Sequence, residues 1–236
     1  SSLLIQNYPI FGNKYGNMTD NNKQLIDSTI SFVKKEFIGA EGGHDWWHTY
    51  RVWKMATAIA IEENANILIV ELAALLHDIA DSKFYGGDEE IGPVRAKEFL
   101  SNQLVNQETI NQVVNIIKYM SFKKTFDSID FSSLELDIVR DADRLDAIGA
   151  IGIARTFNYG GFTDSEIYNP DISPRLKMTK EEYKSSKSPT INHFYEKLLL
   201  LKDLMVTNTG KKIADSRHRF MENYLQQFYL EWDGKA

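Results

Sequence analysis

The stretch Ile67-Leu68-Ile69-Val70-Glu71-Leu72-Ala73-Ala74-Leu75-Leu76-His77-Asp78-Ile79-Ala80 decides the fold. Its middle is apolar on nearly every side, as expected of a central helix in a bundle, and Asn66 offers an N-cap just before it. The predicted helix spans 67–80. An imidazole and a carboxylate, His77 and Asp78, stand at its end, where removal from water is costly, and a cation is one of few partners that compensates both. The plain alternative is a capping aspartate beside a packed histidine, and a dipeptide alone does not decide between them.

The flanking sequence is helical in both directions. Asp45 is an N-cap for a helix reaching about Asn64, in which His48, Val52, Met55, Ala56 and Ile59 share a face. Before it, Thr19 and Asp20 precede apolar positions at helical spacing over 21–38, stopped by Gly39. Beyond the central stretch, Asp88 and Pro93 open a helix to about Leu100, and 107–120 sets Ile110, Val113, Val114 and Ile117 on one side. Residues 134–157 read as a helix interrupted by Gly149 and Gly152, whose missing side chains permit close packing. Residues 158–188 carry Gly160-Gly161, Pro170 and Pro174 and read as a long loop with one short helix. The tail, 190–232, reads as two long helices broken near Gly210. The expected class is all-α: one helical bundle over 19–236 with its C-terminal helices packed on the core, preceded by an extension over 1–18 that leaves room for disorder.

The 236 residues are 43% hydrophobic and 25% charged, a globular balance. A formal net charge of -6 argues against a long polyanion or an anionic membrane surface as partner, while a local basic pocket still suits a small phosphorylated molecule. With no cysteine, disulfides, thiolate metal sites and thiol nucleophiles are excluded, so any metal must use histidine and carboxylate. Apolar runs such as Leu198 to Leu201 fall far short of the ~20 residues that span a bilayer. The first residues lack a secretory pattern, so a cytoplasmic location is expected, and Met18 is a candidate initiator. Neither a P-loop nor a dinucleotide fingerprint is present.

Three of the five histidines fall in two short segments, His44-Asp45-Trp46-Trp47-His48 and His77-Asp78. A third segment, Val139-Arg140-Asp141-Ala142-Asp143-Arg144-Leu145-Asp146-Ala147-Ile148, sets Asp143 in a largely apolar helical frame. By itself it reads as a charged face with local Asp–Arg pairing. Together, His48, His77-Asp78 and Asp143 resemble the H…HD…D signature of the HD superfamily, with Arg51-Val52 after His48 and Leu76 before His77. The resemblance runs from His44 to about Arg155 and is weaker around Asn192-His193-Phe194-Tyr195-Glu196. It is greatest to a bacterial branch of HD hydrolases, some members of which are nucleoside triphosphate pyrophosphohydrolases. It implies that His48, His77, Asp78 and Asp143 bind one divalent ion, Mn²⁺ first, with Fe²⁺, Mg²⁺, Ni²⁺ or Zn²⁺ as alternatives. Four protein ligands leave a six-coordinate ion positions for water and a phosphate oxygen.

Other residues are candidates by spacing. Asp81, three residues after Asp78, can orient or deprotonate the attacking water, against a plain helix-end carboxylate. Arg51, three residues after His48, is a candidate for phosphate, as are Lys83 and Arg144, each against a solvated surface charge. His44 and His193 are candidates for substrate contact, the former against a surface histidine and the latter against a packed core one. Trp46, Trp47 and Trp53 suit core packing better than base stacking. The expected reaction is hydrolysis of a small phosphorylated substrate, a nucleotide foremost, with triphosphate cleaved to monophosphate and pyrophosphate as the sharpest form. The alternatives are a phosphomonoesterase or phosphodiesterase using the same ion, and a catalytically silent nucleotide-binding module. A homodimer is compatible with the sequence.

Overall fold

A computed structural model describes residues 19–38, 45–79, 90–121, 131–176 and 188–236 of the chain. The described residues form α1 (Asp20–Glu36), α2 (Trp46–Glu63), α3 (Ile67–Leu76), α4 (Ile91–Asn102), α5 (Gln107–Ser121), α6 (Leu134–Asp146), α7 (Gly149–Phe162), α8 (Asn192–Glu196), a 3-10 helix (Leu198–Leu204) and α9 (Asn208–Trp232). No strand occurs among them, so the fold is all-α.

Side-chain caps set several helix starts. Thr19, Asp45, Asn66, Ser133 and Thr207 each accept a backbone N–H from the first turn of the helix that follows, satisfying donors that have no partner within the helix. Helix α3 is the centre of the bundle: Ile69 to Leu76 are all buried. Helix α2 packs against α3 and α6, α3 also contacts α1, α5 and α6, and α9 lies on α2, α6 and α7. One cluster of buried apolar side chains runs from Ile26 to Leu225, so the C-terminal helices pack on the same core as the central ones.

Three boundaries differ from the sequence reading. Helix α3 ends at Leu76 and not at Ala80, with His77 to Ile79 in a turn, which releases both functional side chains from the helical ladder. The interruption expected at Gly149 is present: the segment divides into two helices at Ala147 and Ile148, and Gly149 takes a φ of 75° that side chains rarely adopt. Helix α7 then continues through Gly160 and Gly161 to Phe162, beyond the point at which a loop was expected. In the tail, the two expected long helices are a five-residue helix, a 3-10 helix and one long helix. Gly210 does not break the last helix; it lies in its first turn. A Cβ there would meet Asp141 Oδ2 at 2.5 Å and Thr207 Oγ1 at 2.6 Å, so the glycine allows close approach. The signal read as a helix breaker is a packing requirement.

Candidate metal centre

Helices α2, α3 and α6 each deliver part of one cluster. The Asp45 cap accepts the His48 N–H at 2.8 Å and so fixes the first turn of α2, with His48 buried in it. His77 is the C-cap of α3, and Asp78 follows in the turn. Asp143 and Asp146 are one turn apart on α6. His48 Nε2 stands 3.5 Å from Asp78 Oδ2 and 3.4 Å from Asp143 Oδ1, and His77 Nε2 stands 3.4 Å from Asp78 Oδ2. The two imidazole rings are 5.5 Å apart. Ligand atoms of His48, His77 and Asp78 all lie within 4.8 Å of one another, a possible metal-binding group. The structure therefore brings together the four residues that the sequence set apart.

Hydrogen bonds fix the orientation of both rings. His77 Nδ1 faces the Ala74 carbonyl at 2.8 Å, and His48 Nδ1 faces Asp146 Oδ2 at 2.8 Å. Each partner is an acceptor, so each Nδ1 carries a proton and Nε2 is the nitrogen that faces the cluster, able to hold either a proton or a metal ion, the usual arrangement for a metal-ligating histidine. His77 Nε2 is buried and makes no hydrogen bond among the described residues. Two imidazoles and two carboxylates fit a divalent ion of borderline to hard character.

With no ion bound, the surrounding carboxylates favour a proton on each ring. Burial alone pushes the His48 pKa down, but hydrogen bonds to Asp143, Asp146 and Asp78 outweigh it and raise it to about 11. Burial likewise opposes a charge on His77, yet Asp78 and Asp143 raise its pKa. Burial raises the Asp143 pKa, and His48 and His77 more than reverse that, leaving it low. Carboxylates thus exceed cations around the two rings, and a proton or a divalent cation balances them.

Asp146 and Arg155 were given no role in the sequence reading. Asp146 is buried and accepts from His48, from Arg51 Nε at 2.6 Å and Nη2 at 2.9 Å, and from Arg155 Nη1. Burial opposes its charge, but His48, Arg51 and Arg155 hold its carboxyl far below the usual range. The i,i+3 spacing from Asp143 signalled a shared face for Asp146. Nothing in the spacing signalled Arg155, because its pairing depends on the turn between α6 and α7.

Among the other candidates, Arg51 lies one turn beyond His48 with its guanidinium forked on Asp146. Arg144 donates to the Leu204 carbonyl and stands 3.6 Å from Asp141 Oδ1, joining α6 to the 3-10 helix. His193, on α8, is partly buried, and burial with help from Lys197 lowers its pKa to about 4, so it is neutral near pH 7. Trp47 is 61% exposed, while Trp46 and Trp53 pack against the core. His44, Asp81 and Lys83 lie outside the described residues.

A bundle whose central helices join H, HD and D residues around two inward-facing imidazoles defines an HD-type metal site, and the HD domain family model matches residues 46–148. The chain belongs to the HD superfamily and is a metal-dependent phosphohydrolase of its bacterial branch. It is 35% identical to YpgQ of Bacillus subtilis over 205 residues, 86% of this chain and 92% of that protein. The crystal structure of an HD-superfamily hydrolase from Bacillus thuringiensis superposes with a TM-score of 0.74 at 43% identity, covering 90% of this chain and 98% of that one. Bacillus subtilis YpgQ in complex with ADP superposes with a TM-score of 0.70 at 33% identity, covering 89% and 96%.

Proposed function

We propose that this protein hydrolyses a nucleotide, cleaving a nucleoside triphosphate to monophosphate and pyrophosphate with one Mn²⁺ held by His48, His77, Asp78 and Asp143. The observation that carries the reading is the pair of buried imidazoles, each with Nδ1 bonded to an acceptor and Nε2 turned toward a carboxylate oxygen at 3.4–3.5 Å. That Bacillus subtilis YpgQ was crystallised with ADP supports a nucleotide as the ligand class.

A divalent ion bound there supplies a Lewis acid for phosphorus-bound oxygen and lowers the pKa of water. The chain's own residues do the rest. Asp146 holds the His48 ring through Nδ1 and Ala74 holds the His77 ring, so neither ligand reorganises during turnover. Asp143, with its side chain 44% exposed, sits on the solvent side of the cluster, where a substrate enters. Arg51, Lys83 and Arg144 are the cations assigned to the substrate's negative charge, and His44 and His193 are its other assigned contacts. Asp81 is the base assigned to the attacking water.

The test is a product analysis. The purified chain, loaded in turn with Mn²⁺, Mg²⁺, Fe²⁺, Ni²⁺ and Zn²⁺, is assayed on nucleoside triphosphates, cyclic nucleotides and phosphomonoesters, with His77→Ala and Asp78→Ala as controls. Pyrophosphate and nucleoside monophosphate, strongest with Mn²⁺ and lost in both variants, are expected. Orthophosphate from monoesters alone would move the substrate class. Asp81→Asn is expected to lower kcat by about 10²-fold or more while the metal still binds.

A further inference from the structure

Helix α9 supplies none of His48, His77, Asp78 and Asp143, yet it is fastened at two places to the part of α6 that carries Asp143 and Asp146. At the start of α9, Asp141 accepts the Thr207 N–H and the Thr207 hydroxyl, each at 2.8 Å, and the Val206 N–H at 3.1 Å. Roughly three turns further along, Arg217 donates to the Leu145 carbonyl. The two fastenings bracket Asp143, and the second falls on the residue before Asp146. Leu145 belongs to the last turn of α6, where carbonyls run out of partners within the helix and the negative end of the helix dipole lies, so a guanidinium suits the position. The charge of Arg217 also interacts with Asp146. The turn between α6 and α7 is shaped to admit this side chain. A Cβ at Gly149 would meet Arg217 Cγ at 2.9 Å, Cβ at 3.1 Å and Cδ at 3.2 Å, so the stem of the arginine lies on bare backbone while its head caps Leu145. Burial opposes the charge and holds the Arg217 pKa below the ordinary arginine value. An apolar side chain would cover Gly149 without that opposition, so packing alone does not account for an arginine here.

We infer that Arg217 is a positioning residue of the metal centre: by capping the end of α6 it keeps the Asp146 carboxylate against His48, so that the C-terminal helix sets the affinity of the site for its ion. The chain of contacts is short. Arg217 holds the carbonyl of Leu145, Asp146 follows in the chain and faces His48 Nδ1 at 2.8 Å, and His48 Nε2 faces Asp78 and Asp143 at 3.5 and 3.4 Å. The last turn of a helix frays when its carbonyls are not held, and fraying at Leu145 carries the Asp146 carboxylate away from the ring it orients. Arg217 touches neither the ion nor a substrate in this scheme; it acts through Asp146. The inference rests on the reading of His48, His77, Asp78 and Asp143 as the ligands, and adds to it a residue that no motif marks.

The test is a calorimetric titration of Mn²⁺ into the metal-free full-length chain, at a temperature where every variant compared is folded by circular dichroism, so that turnover does not enter the measurement. Arg217→Met keeps a stem over Gly149 and removes the donor and the charge; it is expected to weaken Mn²⁺ binding about tenfold, the lower end of what losing a ligand's orienting partner costs. Arg217→Lys keeps the stem and the charge but not the planar fork, and is expected to lose about threefold. Leu225→Ala is the control for stability alone. Leu225 is a buried position roughly two turns further along α9, beside Tyr195 and Leu199, and its truncation is expected to lower Tm while Mn²⁺ affinity stays within about twofold of wild type. Wild-type affinity in Arg217→Met, or an equal loss in Leu225→Ala, overturns the inference. So does wild-type affinity in Arg217→Lys where the methionine variant fails to fold. His77→Ala, titrated alongside, reads the ligand set itself: a loss there with no loss in the Arg217 variants leaves the metal site standing without this residue. A wild type that binds no Mn²⁺, or an affinity indifferent to His77→Ala, removes the ligand reading and the inference with it.

Discussion

At the scale of single residues, the site depends on what stands behind its ligands. His48 presents Nε2 to Asp78 and Asp143 because Asp146 takes the proton side of the ring at 2.8 Å. Replacing Asp146 with Asn keeps the shape but removes the charge, and the amide can present either an oxygen or an NH₂ group to Nδ1. The tautomer that exposes the Nε2 lone pair is then no longer imposed, and Arg51 and Arg155 lose their counter-charge. Asp146→Asn is expected to weaken Mn²⁺ about 10- to 100-fold in a direct metal titration, the usual cost of losing such a partner, while the fold remains. Unchanged Mn²⁺ affinity would show that Asp146 does not orient the ligand. That His48, His77, Asp78 and Asp143 lie together was legible in the sequence because each lies within a short motif. Asp146 was visible in its motif but without a role. Arg155 was not legible, since its partners come from α2 and α6 and meet it only after the chain turns at Ala147 and Ile148.

At the scale of elements, the pairing of α2 with α3 carries a buried acid outside the cluster. Glu71, 2% exposed, accepts from Trp53 Nε1 at 3.0 Å and from Thr57 Oγ1 at 3.4 Å, while its Oε2 has no hydrogen-bond partner among the described residues. Burial raises its pKa despite the opposing hydrogen bonds from Trp53 and Thr57. A carboxyl whose folded pKa exceeds its unfolded value contributes stability below the ordinary carboxylate range, and that contribution is lost as pH rises through the folded pKa. Glu71→Gln keeps an acceptor for Trp53 and removes the buried charge, so it is expected to stabilise the protein at pH 7 by on the order of 1 kcal/mol. The gain should shrink as pH falls toward about 4, where the wild-type acid is protonated. Denaturant midpoints at the two pH values check this, and a variant less stable than wild type at pH 7 would count against it. Most helices were legible because caps and apolar spacing agree, as at Asp45 and Asn66. Their ends were harder to read: Gly210 and Gly160 resemble breakers in sequence but are sites where a Cβ would collide with Asp141 or Thr190.

At the scale of the whole molecule, the cluster joins helices far apart in the sequence. His48 on α2 and Asp146 on α6 are 98 residues apart and hydrogen-bonded, and Asp78 follows the central helix α3. No described helix is long and apolar enough to cross a membrane. Carboxylates and imidazoles from α2, α3, α6 and the turn after α3 meet at the cluster, so a cation bound by them ties the packing of these helices together. A cation that binds only the folded chain stabilises it by mass action, about 2.7 kcal/mol at a concentration 100 times its dissociation constant. For a chain of this size that corresponds to a rise of roughly 5–10 °C in Tm. Thermal unfolding with chelator and with saturating Mn²⁺ is expected to differ by this amount. The difference should vanish in the double variant His77→Ala, Asp78→Ala, which removes one imidazole and the carboxylate it shares with His48. A wild-type Tm indifferent to Mn²⁺, or a shift that survives in the double variant, would place the ion somewhere other than the junction of these three helices.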